Sequence, residues 1–137
     1  MTTARSLVVL DTSVVSLFLR DAEEAAYYRS EIDGLRAVIS FQTREEALFG
    51  AIRGGWGARR LNTLQQHLDQ YEMVGASIEL VDISANLRAE RERAGRRLNT
   101  ADAWIASTAI MLDCPLASHD GDFAGIPDLQ IIRTPSS

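Results

Sequence analysis

Lysine is missing altogether: every one of the 14 basic residues is arginine. Phosphate cradles built on a P-loop lysine, Schiff bases and lysine-assisted phosphoryl transfer are therefore excluded. Cys114 is the single cysteine, which rules out an internal disulfide or a thiolate zinc cage and fits a small apolar packing role. No stretch approaches the roughly 18 consecutive apolar residues of a membrane span. The opening Met1–Arg5, Ser6 and Leu7–Leu10, closed by Asp11, holds too short an apolar run for a signal peptide. Positive charge is also scarce, with 19 acidic residues giving a net charge of -5, so the chain does not hold nucleic acid by bulk charge. The expectation is a soluble cytoplasmic protein with no membrane contact. What remains is ordinary globular material, 46% apolar and 24% charged over 137 residues, enough for one buried core.

Leu7–Leu10 is wholly apolar and reads as a strand covered on both faces, the kind found in parallel sheets between helices. A helical stretch over 14–33, broken near Arg20 and Asp21, precedes a stop at Gly34 and a second buried strand at Ala37–Ser40. Thr43-Arg44-Glu45-Glu46 has capping-box spacing and opens a helix to about Arg53. Three glycines around Trp56 interrupt the pattern; Leu61, Leu64, Leu68 and Tyr71 then repeat as one face of an amphipathic helix. Ile78–Ile83 reads as a third strand, with Ser84 capping a charged helix over 85–96. Asn99 caps a further helix over 100–113. Leu116–Ser118 and Leu129–Ile132 read as the last two strands, around a turn at His119-Asp120-Gly121. This alternation predicts an α/β protein: a three-layer α/β/α domain with a mainly parallel sheet of four or five strands, one domain over 1–133 and a short tail over 134–137.

Ligands of a parallel sheet bind where its strands end and its helices begin. Asp11 follows the first strand, Glu46 opens the helix after the second, Asp102 lies in the first turn of the helix leading to the fourth, and Asp120 and Asp122 follow that strand. Each acid also has a local use: Asp11 as a helix cap, Glu46 and Asp102 as third residues of capped helices, Asp120 in an Asx-turn. Five acids on one rim repel one another unless a cation neutralises them. Oxygen donors without Cys or a His pair favour a hard ion, Mg²⁺ or Mn²⁺.

Asp11-Thr12-Ser13 after an apolar strand, Thr43–Ala51 with Glu46, Asn99–Ala106 with Asp102, and Leu116–Phe123 with Asp120 and Asp122 resemble the motifs of the PIN-domain family, in order and across nearly the whole chain. The nearest form is the small VapC toxin of bacterial type II toxin–antitoxin systems. The resemblance implies a Mg²⁺-dependent endoribonuclease, with Mn²⁺ as the alternative. Asp11, Glu46, Asp102 and Asp120 match its metal-binding acids, and Asp122 matches a further acid of many members. It also implies an RNA substrate, a VapB-like antitoxin and a homodimer, the contacts falling on the apolar first helix with Val14, Val15, Leu17, Phe18 and Leu19, residues that core packing alone would also explain. Ser118 stands where threonine is usual and keeps the hydroxyl. In this reading Asp11 contacts the ion, Asp102 and Asp120 complete its shell directly or through waters, and Glu46 holds the attacking water. Thr12 and Ser118 orient the acids, cap helices or touch phosphate.

Arginines 88, 91, 93, 96 and 97 outnumber Glu90 and Glu92, so this stretch offers Arg96 and Arg97 as RNA contacts, or else a solvated helix face. Arg59 and Arg60 near Trp56 form a second basic stretch where an indole stacks on a base or simply packs. His119 is read as an exposed loop residue rather than a proton shuttle, and His67 is given no role. Two other readings compete: a PIN-like module that binds RNA or a partner without cutting, and a receiver-like phosphoacceptor. The missing lysine counts against the second, and it also counts against an aspartyl phosphatase.

Overall fold

The computed structural model describes residues 6–135; Met1–Arg5 of the opening stretch, and Ser136 and Ser137 of the expected tail, lie outside the described residues. Among these, five strands pair in parallel: β1 (Leu7–Leu10), β2 (Arg36–Ser40), β3 (Glu72–Val74), β4 (Leu116–Ala117) and β5 (Ile131–Ile132). Their order is β3-β2-β1-β4-β5. The connections are α1 (Thr12–Leu19), α2 (Ala25–Glu31), α3 (Phe41–Arg53), α4 (Ala58–Leu68), α5 (Ile78–Arg93), α6 (Thr100–Leu112) and a 3-10 turn at Gly121–Phe123.

Successive strand residues face opposite sides of a sheet, and β1 feeds two cores accordingly. Val8 and Leu10 pack with Val14, Val15, Leu17, Tyr28, Leu64 and Leu68, which brings α1, α2 and α4 onto one face. Val9 packs with Leu87, Ile105, Ala106 and Phe123, which brings α5 and α6 onto the other. The result is the three-layer α/β arrangement expected. Chain direction from β1 turns one way to β2 and the other to β4, so the crevice between their carboxyl ends is where such sheets bind ligands. Register makes that crevice tight: Leu10 is level with Ala117, and the Asp11 N–H donates to the Ala117 carbonyl at 2.9 Å.

Several elements depart from expectation. Ile78–Ile83 is the first part of α5, not a strand, and Ser77 caps it by accepting from the Leu80 N–H at 3.1 Å. Ser84, expected as a cap, is buried in mid-helix; Leu80, Ser84, Leu87 and Arg91 form the inward stripe at helical spacing. The third strand is Glu72–Val74, three residues at the sheet edge. Ser40, not Thr43, caps α3, accepting from the Gln42 N–H, so Glu46 lies in the second turn. Thr134 is tied in, its N–H donating to the Tyr28 hydroxyl at 3.2 Å. Val14, Val15 and Leu17 are core residues and offer no docking face; the exposed large apolar side chains are Phe49, Ile52, Met73, Ile78 and Val81. No helix among the described residues is long and apolar enough to cross a membrane.

Candidate active site

Asp11 sits where β1 gives way to α1 and is 5% exposed. It occupies the cap position but makes no side-chain capping bond. Its Oδ2 instead accepts from Ser13 Oγ at 2.7 Å and Ser118 Oγ at 2.9 Å. Each serine is held in turn: the His119 N–H donates to Ser13 Oγ at 2.9 Å and the Asp120 N–H to Ser118 Oγ at 3.1 Å. Burial still pushes the Asp11 carboxyl above the ordinary range, and the two hydroxyls oppose that shift.

Glu46 reaches the same edge from α3. Thr12 Oγ1 donates to Glu46 Oε1 at 3.1 Å and stands 3.2 Å from Thr43 Oγ1. Thr43 and Glu46 are three residues apart, hence on one face of α3, and Thr43 is fully buried. Burial raises the Glu46 carboxyl, the Thr12 bond pulls it back, and the charge of Asp11 raises it again.

Asp102 stands in the first turn of α6. Asn99 Oδ1 accepts from the Asp102 N–H at 2.7 Å, so the expected cap is present, yet its carboxylate has no hydrogen-bond donor among the described side chains. Its pKa is pushed up to about 6, first by burial and then by the charges of Asp11, Asp120, Asp122 and Glu46. The other four predicted acids thus all raise the carboxyl of the fifth. Asp120 Oδ1 accepts from the Asp122 N–H at 3.0 Å, the expected Asx-turn, and leaves Asp122 exposed.

Among the described residues no three His, Cys, Asp or Glu side chains are already spaced as a metal cage. The donor set is oxygen throughout, and the Asp102 carboxyl, raised by burial and then by neighbouring acids, is one that a cation would help to ionise. The residues present fit a divalent ion.

The basic residues divide. Arg97 lines a cavity of about 380 Å³ with Asp102, Asp122 and Arg88. Arg96 packs on Gly125, where a Cβ would come 2.8 Å from its guanidinium. Arg60 lies over the Trp56 ring, 3.9 Å from its centroid, covering one indole face, while neighbouring Arg59 is exposed. Trp56 also lines a second cavity, of about 240 Å³, with Thr12 and Glu46. His119, expected as an exposed loop residue, is half-buried, with Nδ1 2.8 Å from the hydroxyl of fully buried Tyr28. Ser13 and Thr43 are the supports that reading the sequence did not assign to the acids. Their signal was spacing, two residues after Asp11 and three before Glu46.

Comparison with known proteins identifies the family. The PIN-domain family profile matches residues 8–129. Ribonuclease VapC4 of Mycobacterium tuberculosis is 32% identical over 97 residues, 69% of this chain and 74% of that protein. Ribonuclease VapC5 of the same organism is 34% identical over 79 residues, 56% of this chain and 58% of that protein. Among solved structures, DNA-bound VapBC from Salmonella typhimurium superposes with a TM-score of 0.81 at 20% identity, covering 93% of this chain and 98% of that one. VapBC-1 from nontypeable Haemophilus influenzae gives 0.79 at 21% identity over 93% and 97%. At those identities the structures speak for the fold. The family profile runs from β1 through the turn bearing Asp120 and Asp122 and takes in all five acids of the rim, so the chain belongs to the PIN-domain family.

Proposed function

We propose that the chain is a divalent-metal-dependent endoribonuclease, the toxin of a toxin–antitoxin pair, using Mg²⁺ with Mn²⁺ as a substitute. One observation carries the reading: acids from separate stretches of sequence meet at one edge of the sheet, Ser118 Oγ joining Asp11 to the Asp120 N–H, Thr12 beside Asp11 holding Glu46, and Asp102 and Asp122 lining one cavity. The VapC relatives named as ribonucleases support the reaction class. Asp11, Asp102 and Asp120 are the groups that hold the ion, and Asp122 stands beside them as a weaker contributor. When bound, such an ion lowers the pKa of a water and stabilises charge growing on a phosphate under attack.

The chain's own residues do the rest. Ser13 and Ser118 fix the buried Asp11 carboxylate by bonding Oδ2. Thr12 orients Glu46 through Oε1, and the half-buried Glu46 carboxylate, raised by its surroundings, receives the proton of the attacking water. In-line attack forms a new P–O bond and breaks the P–O3′ bond, leaving a 5′-phosphate and a 3′-oxygen that takes a proton from solvent to become the 3′-hydroxyl, with no 2′-hydroxyl acting as nucleophile. A VapB-like antitoxin and a second copy of the chain are the proposed protein partners, with exposed Phe49, Ile52 and Met73 as apolar surface available to them. The purified chain, incubated with single-stranded RNA and Mg²⁺ or Mn²⁺, is expected to yield fragments with those ends and to stop on adding EDTA. RNA left intact would overturn the proposal and favour a PIN-like module that binds without cutting, and RNA cut equally well in EDTA would overturn its metal dependence.

A further inference from the structure

The cavity beside Asp102 is lined by both signs of charge: Arg88 from α5 and Arg97 from the α5–α6 connection, Asp102 and Asp122 of the acidic rim, with Leu98, Asn99 and Thr100 completing the lining. Opposite charges in one small cavity ordinarily close on each other. Here they do not: the ion pairs among the described residues use Arg29, Arg36 and Arg44, and neither Arg88 nor Arg97 has a carboxylate partner. Nor does either donate a side-chain hydrogen bond to another described residue. By contrast, buried Arg91 on the same helix spends its guanidinium on the carbonyls of Ala124 and Gly125 at 3.3 and 3.1 Å. Arg88 and Arg97 therefore keep free donors over about 380 Å³ of space that adjoins the acids.

From this separation we infer that Arg88 and Arg97 form a backbone-phosphate subsite for single-stranded RNA, taking a phosphate next to the one being cut. The inference rests on the hydrolase reading above for its substrate. A polynucleotide is the occupant that satisfies both sets of charges in series, since its reacting phosphate belongs at the acids and the neighbouring phosphate meets the guanidinium forks. An acidic protein segment satisfies only the arginines. Arg88 is the new member of the site, and Arg96 drops out because it packs on Gly125.

The test is fluorescence anisotropy of a labelled oligouridylate in EDTA, where binding is read without cleavage, at a series of salt concentrations. Each arginine that neutralises a phosphate on a single strand steepens the dependence of log affinity on log salt by about 0.7. The Arg88→Gln/Arg97→Gln double variant is expected to bind with a slope shallower by about 1.4. Arg88→Lys/Arg97→Lys, which keeps the charge, restores most of it. Arg36→Gln removes the same charge from the start of β2, where Arg36 pairs with Glu72, and leaves the slope unchanged. Both target arginines are exposed, so the variants should fold, which a thermal melt verifies. An equal slope for the original chain and the double glutamine variant would overturn the subsite and leave an acidic protein partner as occupant. A slope lost equally in Arg36→Gln, or no binding by the original chain, would overturn it as well. RNA that is bound with the expected slopes yet never cut in Mg²⁺ or Mn²⁺ would support the subsite and strike only the hydrolase reading.

Discussion

Asp11 and Asp102 bring the same carboxyl group to the same rim and are treated in opposite ways. Asp11, at the β1–β4 floor, is almost fully buried, and two hydroxyls bond one of its oxygens through serines that are themselves tethered. Asp102, on the α6 wall, is half-buried, lacks any side-chain donor and carries the repulsion of four other acids. Burying a carboxylate is costly unless hydrogen bonds or a counter-charge compensate. The floor is compensated by the protein, and on the proposed reading a divalent cation would compensate the wall.

Removing either carboxylate should give the largest effect. Asp11→Asn and Asp102→Asn are each expected to lower RNA cleavage by roughly a thousandfold, measured as initial rate in Mg²⁺, while circular dichroism stays native. The two should part company when folding is measured, because only Asp11 is embedded in a hydrogen-bond network. Ser118→Ala comes next. It deletes a buried donor to Asp11, so cleavage should fall by about 10- to 100-fold and stability by about 1–2 kcal/mol in urea unfolding. If it instead leaves the rate unchanged, the floor is not held in the way described.

Asp122→Asn should matter less, below about tenfold in rate, since its side chain is exposed and only its backbone N–H is engaged by Asp120. The smallest effect is on stability, and it reverses the usual sign for an acidic residue. The folded-state pKa of Asp102, about 6, lies above its ordinary value of 3.8, so ionising it opposes folding. That penalty is absent below the ordinary value, grows as pH rises towards 6 and is complete above it. Without divalent ions, Asp102→Asn should therefore melt about 2–4 °C higher than the original chain above pH 7, solvent screening keeping the gain small. Near pH 4 the difference should vanish, and adding Mg²⁺ should raise the melting temperature of the original chain but not of the variant.

Much of this site could be anticipated from residue order, because its acids follow features that are local in sequence. Asp11 follows a four-residue apolar strand, Asp102 lies at capping distance from Asn99, and Asp120 precedes a glycine in an Asx-turn. The misreadings arose where local signals conflict. Ile78, Val81 and Ile83 favour a strand by side-chain type, but the stripe that α5 buries runs through Leu80, Ser84, Leu87 and Arg91, and a serine and an arginine hide its period. Ser40 and Thr43 are both plausible caps before Glu46, and the strand ending at Ser40 decides between them. Three-residue β3 is too short to announce itself, and of the two uses open to the apolar face of α1, docking and core packing, only the fold selects the core. The pairing of Ser13 and Ser118 on one oxygen of Asp11 depends on β1 lying beside β4, a fact of topology.

The most direct test is crystallographic: crystals grown or soaked with Mn²⁺, with anomalous diffraction recorded near the manganese edge. A peak contacted by Asp11 and Asp102, with Asp120 adjoining directly or through water, is the expected result. Anomalous density that avoids this rim, in crystals whose Mn²⁺ binds elsewhere or not at all, would contradict the account.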